Sequence, residues 1–224
     1  MFEQIIESQR VYFHSGATLD INFRLSMLKK LETALTKWEK ALTEALWQDL
    51  HKSYEEAYLT ELSIVKAEIA GHMRHLRRWA KPKRRPTPIK MFPSRSRIVS
   101  EPLGNTLIIA PWNYPVQLLL NPLVGAISAG CTAVLKPSPY VPTVSAVLAD
   151  MIARYKKMMG FDVYLMTGSD EHGQKIEEYA KADGISPNEF VDNAAANIKA
   201  VWDSLDTCYD KFIRTTDDYH EDAV

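Results

Sequence analysis

Apolar residues recur at helical spacing in the N-terminal third of the chain. Between residues 18 and 50 they fall at steps of three or four, which predicts a helix with one buried face. This stripe comprises Leu25, Leu28, Leu31, Leu35, Trp38 and Leu42. A second stripe over residues 54–80 comprises Tyr58, Leu62, Val65, Ile69, Met73 and Leu76, and Pro82 ends it. Residues 82–96 contain four prolines and are predicted to form an extended arm with little regular structure.

From residue 96 onward, short apolar runs alternate with helical stretches. Strands are predicted at 96–104, 105–110, 131–137 and 161–168, and helices at 116–130, 142–158 and 172–183. Gly184 is predicted to end the last of these helices, and Ser186 with Pro187 and Glu189 to start another. Such alternation predicts an α/β fold, in which a helical N-terminal layer precedes a partial, doubly wound parallel sheet.

Charge divides the chain into two segments of opposite sign. Residues 1–150 carry 19 Lys/Arg and 13 Asp/Glu, whereas residues 151–224 carry 8 and 15. The whole chain has a net charge of -1, which gives no general attraction to nucleic acid or membrane. A reversal of this size indicates separate origins or separate surroundings for the two segments.

An uncharged run extends from Pro102 to Leu135 and raises the alternative of a membrane span. Pro111, Pro115 and Pro122 interrupt any smooth apolar helix in it. A buried strand–helix–strand unit explains the same run better, so we expect no membrane span.

The stretch EPLGNTLIIAPWNYPVQLLLNPLVGAISAGCTAVLKPS, residues 101–138, resembles the aldehyde dehydrogenase superfamily. The preceding helices and arm resemble its short-form branch, whose members often act on fatty or aromatic aldehydes. The resemblance covers about residues 1–148 and implies oxidation of an aldehyde to a carboxylic acid with NAD or NADP. It also implies a cytoplasmic protein that forms a homodimer through the N-terminal arm.

The resemblance assigns roles to residues of two motifs, PWNYP and LKPS. The side-chain amide of Asn113 would donate to the oxyanion that develops when a thiol attacks the aldehyde. Pro111 and Trp112 would lie beside the nicotinamide ribose, and Lys136 and Ser138 would contact the coenzyme, with Lys136 on the adenosine ribose. Many relatives have a glutamate three residues after this lysine, where the present chain has Pro139.

Each of these residues also has a plainer explanation. Asn113, between a tryptophan and a tyrosine, could bond the backbone of its own loop. Lys136, after an apolar strand, could be a solvated strand end. Only the combination and order of the motifs favour the functional interpretation.

No activated nucleophile is evident in this chain. The family's catalytic cysteine and general-base glutamate lie downstream of the matched part. Cys131 begins a buried strand with no adjacent cation in the sequence, which predicts an inert thiol. Cys208 stands near two aspartates, which disfavour a thiolate. We therefore expect no aldehyde oxidation by the chain as it stands.

The second segment, about residues 149–224, is similar to an internal part of the methionyl-tRNA synthetase catalytic domain. TGSDEHGQKI, SPNEFVD and FIRTTDDYH carry the resemblance. It implies a partial class I, Rossmann-like segment in which Asp170 pairs with the α-ammonium of methionine and His172 lies beside it. The ATP-binding signatures are missing, so methionine activation and tRNA charging are both expected to fail.

Two rival accounts of the whole chain stay open. FDVYLMTGS also resembles a dehydrogenase strand ending in a Thr-Gly-Ser turn, which would make the chain an internally shortened dehydrogenase. Alternatively, the chain is a chimeric, non-functional composite.

The remaining candidate features favour plain explanations. The two cysteines show no paired spacing, and the first residues show no secretory signal, as in a reducing, cytoplasmic protein. His72 and His75 could share a metal, but no third ligand follows, so we expect a solvated face and no metal site. The basic run RHLRRWAKPKRR is best explained as a helix end that runs into an exposed arm. The acidic residues 217–222 are best explained as a frayed terminus.

Overall fold

A computed structural model describes residues 2–158, 165–169, 174–204, 207 and 209–217. The helices are α1 (Phe2–His14), α2 (Ile21–Leu50), α3 (Tyr54–Ala57), α4 (Ser63–Trp79), α5 (Pro115–Ala129), α6 (Pro142–Met158), α7 (Gln174–Asp183) and α8 (Pro187–Ser204). A π-helical turn (Tyr58–Leu62) joins α3 to α4, and a 3-10 turn spans Ile89–Met91. The strands are β1 (Lys83–Arg85), β2 (Ser96–Ile98), β3 (Asn105–Ile109), β4 (Thr132–Lys136), β5 (Met166–Ser169) and β6 (Lys211–Arg214).

The chain divides into two compact units. The first comprises residues 1–43 and 52–140, and the second comprises residues 44–51 and 141–224. The last turns of α2 therefore belong with the C-terminal part of the chain, although they precede it by about 90 residues in sequence.

Helix α2 forms where the first apolar stripe predicts it. Both carboxylate oxygens of Asp20 accept backbone N–H groups at its start, from Asn22 at 3.2 Å and from Phe23 at 3.1 Å. Four members of the stripe are buried, namely Leu28, Leu31, Leu35 and Leu42, while Leu25 and Trp38 are half-buried. Helix α1 was not predicted from the sequence.

The second apolar stripe is shifted by the π-helical turn. The backbone N–H of Ser63 donates to the carbonyl of Tyr58, five residues earlier, instead of to a residue four earlier. Ala57, Glu61 and Leu62 are consequently all fully buried, whereas Tyr58, which the stripe predicts to face the core, is only half-buried.

The arm has more structure than its prolines suggest. Strands β1 and β2 pair antiparallel, with Arg84 opposite Arg97, and the 3-10 turn lies between them. The prediction of little regular structure was wrong here, because the backbone groups of the arm pair with each other. The predicted strand 96–104 is shorter than expected and ends at Ile98.

Strand β3, helix α5 and strand β4 form the expected strand–helix–strand unit. The expectation that this unit is buried was wrong for β3, in which Leu107 and Ile109 are 62% and 63% exposed. The two strands are parallel, with Asn105 opposite Thr132 and Ile109 opposite Lys136. Helix α5 has Pro115 in its first turn and ends at Gly130, whose φ of 87° is left-handed. Parallel pairing and the α/β class are thereby confirmed.

The second unit also pairs two strands in parallel, β5 with β6. The Thr-Gly-Ser segment lies inside β5, so it is not the turn that the sequence suggested. Gly184 has φ of 71° after α7, and the Ser186 hydroxyl accepts the Glu189 N–H at 3.1 Å before α8, as predicted. Residues 161–164, predicted as strand, lie outside the described residues.

The uncharged run 102–135 contains β3, α5 and most of β4. Within the described part of the chain, none of the helices combines the length and the apolar character that crossing a bilayer requires.

Candidate functional site

The two motifs expected to carry function meet at one edge of the β3–β4 pair. PWNYP follows β3 and Lys136–Pro137–Ser138 closes β4, so both lie at the carboxyl ends of parallel strands. The N–H of Ala110 donates to the carbonyl of Lys136 at 3.0 Å, which continues the pairing one residue beyond β3. This edge is where open α/β sheets bind dinucleotides.

The candidate residues at this edge differ in exposure. Pro111, Trp112, Asn113 and Lys136 are exposed, with Trp112 54% accessible. Ser138 is only 3% exposed, and its hydroxyl accepts the N–H of Tyr140 at 3.3 Å. Four of the five side chains thus face outward, while that of Ser138 supports the turn that follows β4.

Asn113 is held by its backbone and not by its side chain. Its carbonyl accepts a hydrogen bond from Lys52 Nζ at 2.7 Å. Within the described residues, its side-chain amide makes no hydrogen bond to the surrounding loop. The plainer explanation, in which Asn113 bonds its own loop, is therefore not what the structure shows, and the amide is available to a ligand.

A buried ion pair lies directly beneath this loop. Lys52 Nζ is 2.6 Å from Glu61 Oε1, and the two side chains are 9% and 0% exposed. Glu61 Oε2 accepts the backbone N–H of Val116 at 2.8 Å and that of Gln117 at 3.3 Å. The ammonium of Lys52 also lies 4.1 Å from the centre of the Tyr114 ring.

Sequence reasoning missed both Lys52 and Glu61. Glu61 stands one position before the stripe of Leu62, Val65 and Ile69, so helical periodicity places it at the margin of the buried face. The π-helical turn moves it fully inside. A lone acid beside an apolar stripe was the only available signal, and it does not identify a partner 9 residues earlier.

Cys131 has a cation in its surroundings that its sequence neighbours do not show. No cation is adjacent to Cys131 in the sequence, but Arg24 is close enough to interact with it electrostatically. Burial lowers the pKa of Arg24, and Cys131 and Asp20 act in the opposite direction. The guanidinium donates to the carbonyls of Thr18, Leu19 and Ser128 at 2.6, 3.1 and 3.2 Å, so it is committed to the backbone.

Cys131 is on the wrong side of the sheet to serve Asn113. It precedes β4, whereas Asn113 follows β3, and the strands run parallel. Five residues of strand at about 3.3 Å each separate the two edges by ~16 Å. Cys131 is half-buried and unpaired. Cys208, Asp170 and His172 lie outside the described residues.

His72 is tied into local structure. Its ring nitrogens lie 2.7 Å from Ser128 Oγ and 3.0 Å from Glu68 Oε1, and its ring meets that of Trp79 edge to face. Ser128 is only 4% exposed, so its hydroxyl is shielded from solvent. His75 bonds the carbonyl of Gly71 through Nδ1. The described residues contain no group of three metal-ligating side chains.

The chain has aldehyde dehydrogenases as relatives. It is 36% identical to 4,4'-diaponeurosporen-aldehyde dehydrogenase of Staphylococcus aureus, over 95% of this chain and 51% of that protein. It is 41% identical to human aldehyde dehydrogenase family 3 member B1, over 75% of this chain and 36% of that protein. The chain thus spans about half, or less, of the length of the relatives it matches.

Solved structures show the same fold. A substrate-bound Staphylococcus aureus AldH superposes with a TM-score of 0.65 at 35% identity, over 83% of this chain and 44% of that one. Betaine aldehyde dehydrogenase from the same organism, solved with NAD+, superposes with a TM-score of 0.59 at 25% identity, over 71% of this chain and 31% of that one.

A second family accounts for the C-terminal part. The family model "tRNA synthetases class I (M)" matches residues 142–224. The chain is therefore similar to aldehyde dehydrogenases over most of its length, and residues 142–224 also match the class I tRNA synthetase family, the two resemblances that the sequence motifs indicated.

Proposed function

We propose that residues 1–148 are the coenzyme-contacting part of an NAD(P)-dependent aldehyde dehydrogenase, and that they keep contacts to the coenzyme. The observation that supports this most directly is the meeting of PWNYP and Lys136 at one edge of the parallel β3–β4 pair. In this proposal Lys136 binds the adenosine ribose, and Pro111 and Trp112 flank the nicotinamide ribose. Ser138 is buried and contributes by shaping the turn after Lys136.

Asn113 is proposed as the donor to the oxyanion of the aldehyde reaction. Its side-chain amide is exposed and unengaged within the described residues, and its backbone is fixed by Lys52. Oxidation needs a thiolate near this amide. Cys131 is at the opposite edge of the sheet, so the proposal includes no turnover by the chain on its own.

A specific observation supports each alternative. The synthetase family match over residues 142–224 supports a methionine-binding segment in which Asp170 receives the substrate ammonium. The alignment with the staphylococcal enzyme covers 95% of the chain and so extends into the same residues, which supports an internally shortened dehydrogenase. The dehydrogenase proposal rests on more of the described structure than either alternative.

A ligand titration separates the dehydrogenase and synthetase proposals. We expect saturable binding of NAD+ or NADP+ followed by tryptophan fluorescence, because Trp112 is exposed at the proposed site. Lys136→Ala should weaken binding by roughly 10-fold, since one charge-assisted contact is lost. Lys37→Ala, which removes an exposed lysine of α2, should leave it unchanged.

Absence of saturable coenzyme binding would count against the dehydrogenase proposal. Thermal stabilisation by methionine, abolished by Asp170→Ala, would favour the synthetase alternative.

We further propose that this protein is cytoplasmic and forms a homodimer through the arm. The turn between β1 and β2 exposes Ile89 at 93%, Phe92 at 86% and Met91 at 60%, an apolar tip that water does not favour. Analytical ultracentrifugation should show a dimer for the wild type and a monomer for the double variant Ile89→Ser, Phe92→Ser. Leu103→Ser, which changes an equally exposed residue outside the arm, should stay dimeric. A monomeric wild-type chain would contradict this proposal.

A further inference from the structure

We propose that the buried pair Lys52–Glu61 is a positioning device for Asn113, holding the 113–117 segment so that the Asn113 amide faces outward. This inference rests on the proposed role of Asn113 as an oxyanion donor. Both side chains are buried, at 9% and 0% exposure, and they bond each other and backbone groups of this segment, so Lys52 and Glu61 are positioning residues and not catalytic ones.

The pair satisfies three backbone groups within five residues of chain. Lys52 Nζ donates to the carbonyl of Asn113, and Glu61 Oε2 accepts the N–H groups of Val116 and Gln117. The first turn of a helix leaves such N–H groups without intrahelical partners. Tyr114, at the N-cap of α5, makes no capping hydrogen bond through its side chain. The carboxylate of Glu61 caps the helix instead.

The chemistry of the pair matches these groups better than an apolar pair would. Two packed apolar side chains would fill the same space, but they would leave the Asn113 carbonyl and two amides without these partners. A carboxylate beside a helix N-terminus also interacts favourably with the helix dipole. The pair therefore fixes the backbone on both sides of Tyr114, whose ring contacts the same ammonium.

The π-helical turn is a second, independent indication. In a regular helix, the stripe of Leu62, Val65 and Ile69 would continue back to Tyr58 and leave Glu61 at its margin. The widened turn buries Glu61 and Leu62 together, both at 0% exposure. Such turns are rare and occur frequently at functional sites. Here the turn contains Glu61, whose carboxylate accepts the N–H groups at the start of α5.

The test compares amide resonances of the full chain, labelled with 15N, in three variants. Lys52→Met removes the ammonium, and Glu61→Gln keeps the shape of the carboxylate but not its charge. Lys66→Met is the matched control, because it breaks the Lys66–Glu39 pair, also 2.6 Å long, without touching the loop. The readouts are the Asn113 side-chain NH2 signal and hydrogen exchange at Val116 and Gln117.

We expect Lys52→Met and Glu61→Gln to speed exchange at Val116 and Gln117 by roughly 10-fold or more and to shift or broaden the Asn113 NH2 signal. Exchange at Ile108 and Leu135, in the paired strands, should stay slow. The control should match the wild type at Asn113, Val116 and Gln117, although signals near Lys66 itself will change. Lys52→Arg, which keeps the positive charge, should restore the Asn113 signal towards that of the wild type.

Two results would overturn the proposal. One is a folded Lys52→Met variant with unchanged Asn113 and Val116 signals. The other is loss of protection throughout the unit in both Lys52→Met and Glu61→Gln, which would make the pair part of the general core. Coenzyme titration of the wild type decides the dehydrogenase proposal separately, because the exchange comparison needs no ligand.

Discussion

Replacement of Glu61 by leucine is expected to lower the free energy of unfolding of the first unit by about 3–5 kcal/mol. The leucine leaves the ammonium of Lys52 almost fully buried without its carboxylate, at 9% exposure. It also removes the acceptor for the Val116 and Gln117 amides at the start of α5. Urea unfolding, monitored by amide exchange in β3 and α5, measures this loss of unfolding free energy.

A double variant and a control make this prediction specific. Lys52→Met combined with Glu61→Leu should recover part of the lost stability, because no unpaired charge remains. Recovery should be incomplete, since three backbone groups still lack partners. Glu39→Gln affects a half-exposed pair, in which the Lys66 hydrogen bond lowers the pKa of Glu39, and should cost about 1 kcal/mol or less. Equal losses for Glu39→Gln and Glu61→Leu would show that burial of the pair is unimportant.

Gly130→Ala is expected to destabilise the same unit by about 2–4 kcal/mol. Gly130 ends α5 with φ of 87°, which an alanine adopts only with strain. A Cβ atom there would lie 2.6 Å from Cζ of Arg24. That guanidinium is buried and donates to three carbonyls, so it cannot move aside without breaking hydrogen bonds. Thermal or urea unfolding of the variant measures the effect.

Gly125→Ala provides the control in the same helix. Nothing lies within 4 Å of a Cβ built at Gly125, which is inside α5. We therefore expect this variant to be more stable than the wild type by about 0.5–1 kcal/mol, because alanine loses less conformational freedom in a helix. Equal stability of the Gly130→Ala and Gly125→Ala variants would contradict the steric conflict predicted between Arg24 and a Cβ atom at position 130.

Local sequence patterns predicted those helices and strands whose apolar spacing and end residues indicate the same element. The apolar runs before and after α5 predicted β3 and β4, and the proline and glycine at its ends predicted where the helix lies. The motif resemblance predicted which loops carry function, and the structure places PWNYP and Lys136 at one edge. The roles of Asn113 and Lys136 stay predictions.

The remaining features depend on contacts between distant residues. The buried position of Glu61 requires a π-helical turn, which no spacing of apolar residues signals. Arg24 reaches the carbonyl of Ser128 across 104 positions of sequence, and this approach places a cation near Cys131 that sequence neighbours could not show. The four prolines of the arm predict irregular backbone, whereas the β1–β2 pairing depends on backbone groups on either side of the turn, which the local sequence does not reveal.

The assignment of residues 44–51 to the second unit limits how this protein can be dissected. Asp49, near the end of α2, accepts the N–H of Val144 at 2.9 Å in the first turn of α6. A recombinant piece beginning at residue 141 would lack this carboxylate and the buried Ala45 and Leu46 beside it. Cutting the gene at residue 141 therefore yields a C-terminal product in which the Val144 N–H lacks this acceptor, and a faithful dissection has to graft the 44–51 segment onto it.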